Sequence, residues 1–480
     1  MSSSSSTIIP RNVHFLALVH GMWGTPEHLA RVEETIKEKY ADVEGDTEFV
    51  SLRIRTNAES HTYDGLDWGA ERAVKEIYQT VEEIESNGHK KVAKFSIFGY
   101  SLGGLISRYT IGILYQRGFF RNIKPVNFTT FATPHLGLPR IRGLVGTMMH
   151  KLGPKMLSRT GKQFYGVDKD IWSPDDKEGR PLLEVMADKD SVFFKALKSF
   201  PHVTFYGNAV NDLTVVYVTS MVEAHDPFVA LKTKSHRLGI KMDPKYKHVI
   251  ESFGEVPAGE EVPLSEIELE DRARKAALHW YSPSRYRTSR PFLPPFLQFP
   301  FPLNLVIALL EALADSPDAE SSLAAILQKM EMAVADMVDP ADPGVADEGW
   351  DSGIETDTVV VEDPSEETRK RKATRPDTPE AAAAQSLPTP PAEEDRKLGS
   401  QSMFSPPTPK PNDPLQPILS PAQLAMIESL NSIPQLRKVR AYFPYVRNAH
   451  SMIIVRDPKV FPMHEDGMGV VKHWADRFVL

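Results

Sequence analysis

The stretch FSIFGYSLGGLISR, residues 95–108, decides the fold of this chain. Residues 92–98 alternate in polarity and carry β-branched or aromatic side chains at several positions, which predicts a buried β-strand. Residues 102–115 place apolar side chains at helical spacing and predict a helix. Between these two elements lies GYSLG, residues 99–103, a segment in which the chain must turn sharply.

Gly99 and Gly103 flank Ser101 at this turn, and their lack of a side chain allows the backbone to reverse from strand to helix. A serine on such a turn stands at the edge of the sheet, which is the nucleophile elbow of an α/β-hydrolase. The pentapeptide alone is a weak signal, but here strand, turn and helix occur in the required order. We predict Ser101 as the nucleophile. Strands and helices alternate over the first 135 residues, so we predict an α/β-hydrolase fold with a mostly parallel, doubly wound sheet.

Composition restricts the function further. The chain has 480 residues, 41% of them hydrophobic, which is enough for a large core. The net charge of −8 argues against a nucleic-acid-binding protein, because there is no global positive field to attract phosphates. The absence of cysteine excludes thiolate nucleophiles and favours an intracellular, reducing compartment. The first residues, MSSSSSTIIP, do not resemble a secretory signal.

A second motif comes after a short apolar strand, residues 14–19, which leads directly into HGMWGTP. In hydrolases of this architecture, the loop after an early strand supplies one N–H of the oxyanion hole. We predict that the Met22 N–H fills this role together with the Leu102 N–H, and that His20 and Gly21 support the site. The alternative is an ordinary strand-to-helix turn.

The remaining catalytic groups are expected further along the chain, in the order serine, acid, histidine. Asp212 follows a predicted strand at 202–210 and is our candidate acid, with a simple turn residue as the alternative. His450 lies in a loop directly after a strand predicted at 440–446, from which a side chain can reach the nucleophile. His473, in a predicted C-terminal helix, and His464 are the alternatives for the base.

Changes in composition divide the chain into four predicted parts. Two belong to the hydrolase core, one is an insertion with an apolar segment and an amphipathic helix, and one is a disordered linker rich in Pro, Glu, Ser and Thr. The parts are 1–223 (core, with a possible cap at 141–200), 224–338 (insertion, with the apolar segment 291–314 and the helix 318–337), 339–417 (linker) and 418–480 (core, carrying His450).

The segment 291–314 is the most apolar in the chain, but its prolines leave only residues 303–314 able to form a helix. Twelve helical residues rise about 18 Å, whereas the hydrocarbon core of a bilayer is about 30 Å thick. The segment is therefore too short for a standard transmembrane helix. Two interpretations remain open, which are association with a lipid surface and folding back over the active site as a lid.

These motifs together resemble the fungal and plant serine esterases of the α/β-hydrolase superfamily, a family that includes a yeast lipid-droplet phospholipase. The similar segments are HGMWG at 20–24, GYSLGG at 99–104, TPHLG at 133–137, Asn211-Asp212 and Ala449-His450. The resemblance implies a lipase or phospholipase with Ser101, Asp212 and His450 as its triad. By analogy, it also favours a lipid-droplet or membrane surface on the cytoplasmic side.

The sequence therefore predicts a serine esterase that hydrolyses acyl esters of glycerolipids and needs no metal or organic cofactor. An acyltransferase with the same triad is an alternative, because the nucleophilic step is identical. A non-catalytic lipid-surface scaffold built on the same fold is a second alternative. The expected partner is a glycerolipid or phospholipid substrate at a lipid surface.

Overall fold

The computed structural model describes residues 10–41, 47–141, 150, 153–155, 157–169, 179–232, 238–256, 267, 415–446 and 448–480. The chain divides into two units, one of residues 1–285 with 401–480 and the other of residues 286–400. All described residues belong to the first unit. The predicted amphipathic helix 318–337, the apolar segment 291–314 and nearly all of the predicted linker 339–417 lie outside the described residues.

A six-stranded parallel sheet forms the centre of this unit, which confirms the predicted fold class. The strands in the described residues are β1 (Arg11–Val19), β2 (Thr47–Arg53), β3 (Lys90–Tyr100), β4 (Lys124–Phe131), β5 (His202–Asn208), β6 (Leu238–Met242), β7 (Ile250–Glu255) and β8 (Leu436–Ala441). Their order in the main sheet is β2-β1-β3-β4-β5-β8, and β6 and β7 form a separate antiparallel pair.

Helices cover both faces of the sheet. The α-helices of the described residues are α1 (Ala30–Tyr40), α2 (Leu66–Glu85), α3 (Leu102–Gln116), α4 (Ser158–Phe164), α5 (Leu182–Ala187), α6 (Val192–Lys198), α7 (Tyr217–Ser220), α8 (Pro421–Asn431) and α9 (Met468–Arg477). Short 3-10 helices connect them at Pro26–Leu29, Glu59–Tyr63, Phe119–Arg121, Pro227–Lys232, Met452–Ile454 and Pro462–Gly467. No helix in these ranges has the length and apolarity needed to cross a membrane.

Strand alternation sorts the apolar side chains into two cores. In β3, Phe95 and Ile97 join the cluster that includes residues of α2, α3 and α6. Phe98 and Tyr100 point to the other face, where they join residues of α1 and α9. Because successive side chains of a strand point to opposite faces, a strand buried on both faces has apolar residues on each of them. This explains why the central strands are so apolar.

The C-terminal part differs in detail from the prediction. The strand expected at 440–446 is β8, which begins at Leu436 and ends before Pro444. Just after β8, the Tyr442 N–H donates to the carbonyl of His248, a residue of the predicted insertion. Val249 also forms a bridge with Ala441. The β6–β7 hairpin, which the sequence analysis did not identify, therefore packs beside the last strand of the core.

The elbow depends on close backbone packing at Gly103. A Cβ added at this position would overlap the carbonyl oxygens of Val19 and His20, at the end of β1. These oxygens belong to backbone and cannot rotate away, so α3 can approach β1 only if residue 103 has no side chain.

We therefore expect Gly103→Ala to lower the free energy of unfolding by roughly 3 kcal/mol or more, as severe overpacking does. Gly88→Ala is the control, because its Cβ would meet nothing within 4 Å. The control should cost only about 1 kcal/mol for its left-handed backbone. Urea unfolding of both variants measures the difference, and equal midpoints for Gly103→Ala and the wild-type chain would contradict this packing.

Candidate active site

Ser101 lies at the turn between β3 and α3 with a strained backbone, φ 54° and ψ −124°. A non-glycine residue with positive φ is uncommon and persists only when its surroundings hold it. Here the Ser101 N–H donates to the Phe131 carbonyl at 2.8 Å, and the Thr133 hydroxyl donates to the Ser101 carbonyl at 3.0 Å. Both partners lie at or just beyond the end of β4. The neighbouring strand thus fixes the turn that presents the serine hydroxyl.

His450 contacts this hydroxyl. Its Nε2 lies 3.0 Å from Ser101 Oγ, although the two residues are 349 positions apart in the sequence. Tyr100 contacts both the backbone and the side chain of His450. Its hydroxyl donates to the His450 carbonyl at 3.0 Å, and its ring lies 5.1 Å from the imidazole. The His450 N–H donates to the side chain of Asn448. Burial raises the pKa of the Tyr100 hydroxyl, so this donor stays protonated.

Asp212 completes the line of hydrogen bonds. Its Oδ2 lies 3.0 Å from His450 Nδ1 and also accepts from the Asn208 side chain at 2.8 Å. Its Oδ1 accepts from the N–H groups of Thr214 and Val215 at 3.0 and 2.8 Å. The carboxylate side chain is only 2% exposed, and these donors satisfy both of its oxygens.

This arrangement determines the tautomer of the imidazole. An ionised carboxylate only accepts hydrogen bonds, so the proton of neutral His450 lies on Nδ1, facing Asp212. Nε2 is then left with a lone pair directed at the Ser101 hydroxyl, which donates to it. The three predicted side chains are thus brought together in the geometry of a nucleophile, a base and an orienting acid.

The predicted oxyanion groups lie beside Ser101. Gly21 is so near that a Cβ added to it would lie 2.9 Å from Ser101 Cβ. The Gly24 N–H donates to the Gly21 carbonyl, which closes a tight turn around Met22. Leu102 is the first residue of α3, where backbone N–H groups lack partners within the helix. Among the described residues, neither the Met22 nor the Leu102 N–H donates a hydrogen bond.

His20, which was predicted to support the site, and His135, in the TPHLG segment, have different surroundings. The Nδ1 of His20 lies 3.0 Å from the Gly21 carbonyl, and burial lowers the pKa of this imidazole. Neutral His20 can therefore donate to that carbonyl and fix the turn before Met22. His135 stacks on Phe205 at 3.8 Å and contacts the Thr130 hydroxyl, so it is part of the core below the site.

The two alternative histidines contact other groups. His473 accepts a hydrogen bond from Arg477 and contacts the Tyr206 hydroxyl through its other nitrogen. His464 contacts Ser451 and the N–H of Asp457. Of the three candidate bases, the structure brings only His450 to Ser101.

Sequence reasoning missed three supporting residues, Tyr100, Asn208 and Thr133. Tyr100 occupies the variable position of the GxSxG motif, and Thr133 begins the TPHLG segment, so both had a local signal. Asn208 is the last residue of β5, four positions before Asp212, and only the structure shows that its amide reaches the carboxylate. Among the described residues, there is no group of three His, Cys, Asp or Glu side chains that could hold a metal ion.

The parallel sheet, the serine elbow after β3, the acid after β5 and the histidine after β8 define an α/β-hydrolase. Residues 10–225 match the model of the family described as "Putative serine esterase (DUF676)". The match includes Ser101 and Asp212, and His450 lies beyond it.

Yeast proteins are among the relatives found. "Putative lipase C4A8.10" of Schizosaccharomyces pombe is 28% identical over 225 residues, which cover 45% of this chain and 27% of the relative. "Putative lipase ROG1" of Saccharomyces cerevisiae is 28% identical over 165 residues, which cover 33% of this chain and 23% of the relative. The chain thus spans about a quarter of the length of the curated relatives it matches.

Similar solved structures include two bacterial proteins. The "putative cell surface hydrolase" from Lactobacillus plantarum is 13% identical with a TM-score of 0.24, covering 44% of this chain and 75% of that chain. A lipase-esterase related protein from Clostridium acetobutylicum is 12% identical with a TM-score of 0.22, covering 40% and 73%. The fold assignment rests on the chain's own strand order.

The environment of His473 predicts a pH dependence of stability. Burial, followed by the charge of Arg477, lowers the pKa of its imidazole from 6.5 to about 4. The unfolded chain therefore binds a proton at this position more strongly than the folded chain does between these two values. Protonation of this histidine therefore does not change stability well above pH 6.5, whereas stability falls as the pH decreases from 6.5 towards 4.

We expect His473→Gln to reduce this loss. Between about pH 7 and pH 4, the free energy of unfolding of the wild-type chain should fall by roughly 2–3 kcal/mol more than that of the variant. His89→Gln is the control. Because His89 is exposed, this substitution should leave the pH dependence of stability unchanged. Urea unfolding at a series of pH values measures both. Parallel pH profiles for His473→Gln and the wild-type chain would contradict the assignment.

Proposed function

We propose that this protein is a serine esterase that hydrolyses acyl esters of glycerolipids through Ser101, His450 and Asp212. The observation that carries the proposal is the continuous line of hydrogen bonds from Ser101 Oγ to His450 Nε2 and from His450 Nδ1 to Asp212 Oδ2, each 3.0 Å long. A scaffold protein would not need a strained serine, a base and an acid aligned in this order.

In the proposed acylation step, His450 Nε2 takes the proton of the Ser101 hydroxyl while Oγ attacks the acyl carbonyl carbon. Asp212 stabilises the imidazolium that forms and keeps the ring oriented. The Met22 and Leu102 N–H groups would bind the negative charge that develops on the carbonyl oxygen. The imidazolium then gives its proton to the leaving alcohol, and the acyl group remains bonded to Oγ.

Deacylation repeats these steps with water. His450 takes a proton from the water molecule, whose oxygen attacks the acyl carbon, and the bond to Ser101 Oγ breaks as Oγ recovers its proton. The products are the alcohol, a fatty acid and the original enzyme. Each step uses the same base and the same oxyanion donors, so one site is sufficient for both halves of the reaction.

Lipid esters are the proposed substrates because the relatives with the matching hydrolase segment carry the name lipase. Phospholipids are included in this class on the basis of the resemblance of the site motifs to lipid esterases. An apolar acyl chain also suits the described surface near the site, where Trp23, directly after Met22, is 52% exposed.

We expect Ser101→Ala to lower kcat/KM for a short-chain ester by roughly four orders of magnitude or more, since the nucleophile is lost. Asp212→Asn should lower it by about four orders of magnitude while the fold is retained. A fluorophosphonate probe should label the wild-type chain and the Ser86→Ala control but not Ser101→Ala. Full activity of Ser101→Ala would overturn the proposal.

Lipid profiling tests the substrate class. Purified wild-type chain and Ser101→Ala are incubated with a mixed lipid extract, and the released fatty acids and lysolipids are measured by mass spectrometry. Lipid species that decrease only with the wild-type chain are the substrates. If the wild-type chain cleaves short-chain esters but no lipid in the extract, it is a serine esterase of another substrate class.

We further propose that the apolar segment 291–314 associates with a lipid-droplet or membrane surface. Its many Phe and Leu residues among prolines suit the interface between head groups and acyl chains, and Arg285, Arg287 and Arg290 precede it.

Deleting residues 290–314 should move the chain from the floating lipid-droplet and membrane fractions of a cell lysate to the soluble fraction. Deleting the 25 residues 376–400, which are polar and rich in Pro, is the length-matched control and should leave the distribution unchanged. Flotation of lysates on a density gradient makes the comparison. An unaltered distribution after deletion of 290–314 would exclude this role.

A further inference from the structure

The turn of residues 21–24, just after β1, carries the proposed oxyanion donor Met22. The Gly24 N–H donates to the Gly21 carbonyl at 3.1 Å and closes this turn. Its third residue, Trp23, has a φ of 51°. A turn with positive φ at the third position usually carries glycine or asparagine there, because a larger side chain is strained. Contacts from outside the turn must therefore hold Trp23 in this conformation.

The direction of the Met22 N–H depends on this turn. The peptide unit that joins the Gly21 carbonyl to the Met22 N–H is planar and trans, so the two groups point in opposite directions. The Gly21 carbonyl is held by the Gly24 N–H and by His20 Nδ1, which lies 3.0 Å away. If Trp23 relaxed to negative φ, the Gly24 N–H would swing away from that carbonyl. The Met22 N–H would then lose one of its two restraints.

The 3-10 helix that precedes α2 supplies the contacts that hold Trp23. The Trp23 backbone N–H donates to Thr62 Oγ1 at 3.3 Å, and its indole Nε1–H donates to the Tyr63 hydroxyl at 2.6 Å. The Glu59 N–H donates to the carbonyl of Gly24 at 3.1 Å. Backbone and ring of the strained residue are thus both attached to this 3-10 helix.

Thr62 is the buried centre of these contacts, with an exposure of 2%. Its hydroxyl donates to the Glu59 carbonyl at 2.7 Å, which directs a lone pair of the oxygen towards the Trp23 N–H. Its carbonyl accepts from the Thr160 hydroxyl at 2.7 Å, and Thr160 Oγ1 also accepts from the Gly65 N–H at 3.0 Å. Because Thr160 belongs to α4, in the predicted cap region, Thr62 connects that helix to the oxyanion turn.

We propose that Thr62 is a positioning residue for the oxyanion hole. Its hydroxyl holds Trp23 at positive φ, and the closed turn keeps the Met22 N–H directed at the oxygen of the reacting acyl group. Thr62 acts through the turn and not on the reacting atoms. The inference rests on the proposed esterase function, because it concerns the oxyanion donor of that reaction.

Thr62→Val removes the hydroxyl and nearly keeps the shape of the side chain. We expect kcat/KM for a short-chain ester to fall about tenfold, because His20 still restrains the Gly21 carbonyl, whereas removal of an oxyanion donor costs roughly 100- to 1000-fold. Thr62→Ser keeps the hydroxyl and should stay within about twofold of the wild-type value. Thr35→Val is the matched control, because Thr35 is buried and its hydroxyl donates to the Arg31 carbonyl within α1 at 2.8 Å.

An alkyl trifluoromethyl ketone separates positioning from folding. Ser101 Oγ adds to its carbonyl carbon, the Oγ proton passes to His450 Nε2, and the carbonyl electron pair becomes an oxyanion. Its inhibition constant does not depend on how much of the protein is folded. We expect Thr62→Val to raise this constant about tenfold and to leave the apparent pKa of the kcat/KM profile unshifted. A lower kcat with an unchanged inhibition constant would assign Thr62 to folding and overturn the proposal.

The backbone of Trp23 provides a second test. Glycine adopts positive φ without steric cost, so the Thr62 hydroxyl should matter less in the Trp23→Gly background. Adding Thr62→Val to this background should change the inhibition constant by no more than about twofold, compared with about tenfold in the wild-type background. A tenfold rise in both backgrounds would show that the hydroxyl acts independently of the strained turn, which would contradict the proposal.

Hydrogen exchange tests the contact without turnover. The Trp23 N–H should exchange faster in Thr62→Val than in the wild-type chain or in Thr35→Val, as measured by mass spectrometry of peptides that contain residues 22–24. Unchanged exchange would overturn the positioning role in a chain that is otherwise active. A wild-type chain that neither hydrolyses a short-chain ester nor binds the ketone would instead overturn the proposed function, and this inference with it.

Discussion

The hydrogen bond between Asp212 and His450 is the interaction on which the site depends. The two residues are 238 positions apart in the sequence, and they meet because β8 pairs in parallel with β5 at the edge of the sheet. The Ala449 N–H also donates to the Asn211 carbonyl, so backbone and side chains join the two loops together. If this edge pairing were lost, Ser101 would keep its strained turn but would have no base.

The site combines two kinds of restraint. Around Ser101, close contact of backbone atoms allows only glycine at 103 and holds the serine at positive φ. Around Asp212 and His450, hydrogen bonds fix the direction of each side chain. Ser101 is thus held by close backbone contacts together with hydrogen bonds to Phe131 and Thr133, whereas hydrogen bonds orient the side chains of Asp212 and His450.

The sequence was sufficient to predict the sheet, the elbow and the three aligned side chains. The apolar patterns of β3 and β5 are clear, whereas β8 is half-polar and ends at Ala441, well before His450, so the histidine was chosen by chain order. Ser101 and Asp212 follow β3 and β5, and chain order limited the choice of histidine to three. The β6–β7 hairpin was missed because its strands are short and half-polar. Tyr100 and Asn208 were missed because their roles depend on distances across strands, which a local pattern does not contain.

The position of β8 has a consequence for biosynthesis. Residue 203 of β5 pairs with residue 436 of β8, so a ribosome must add more than two hundred residues before the last strand can join the sheet. During that interval, Ser101 and Asp212 of the nascent chain have no His450 imidazole between them. Ser101, His450 and Asp212 can therefore align only after β8 and the loop that follows it have been translated.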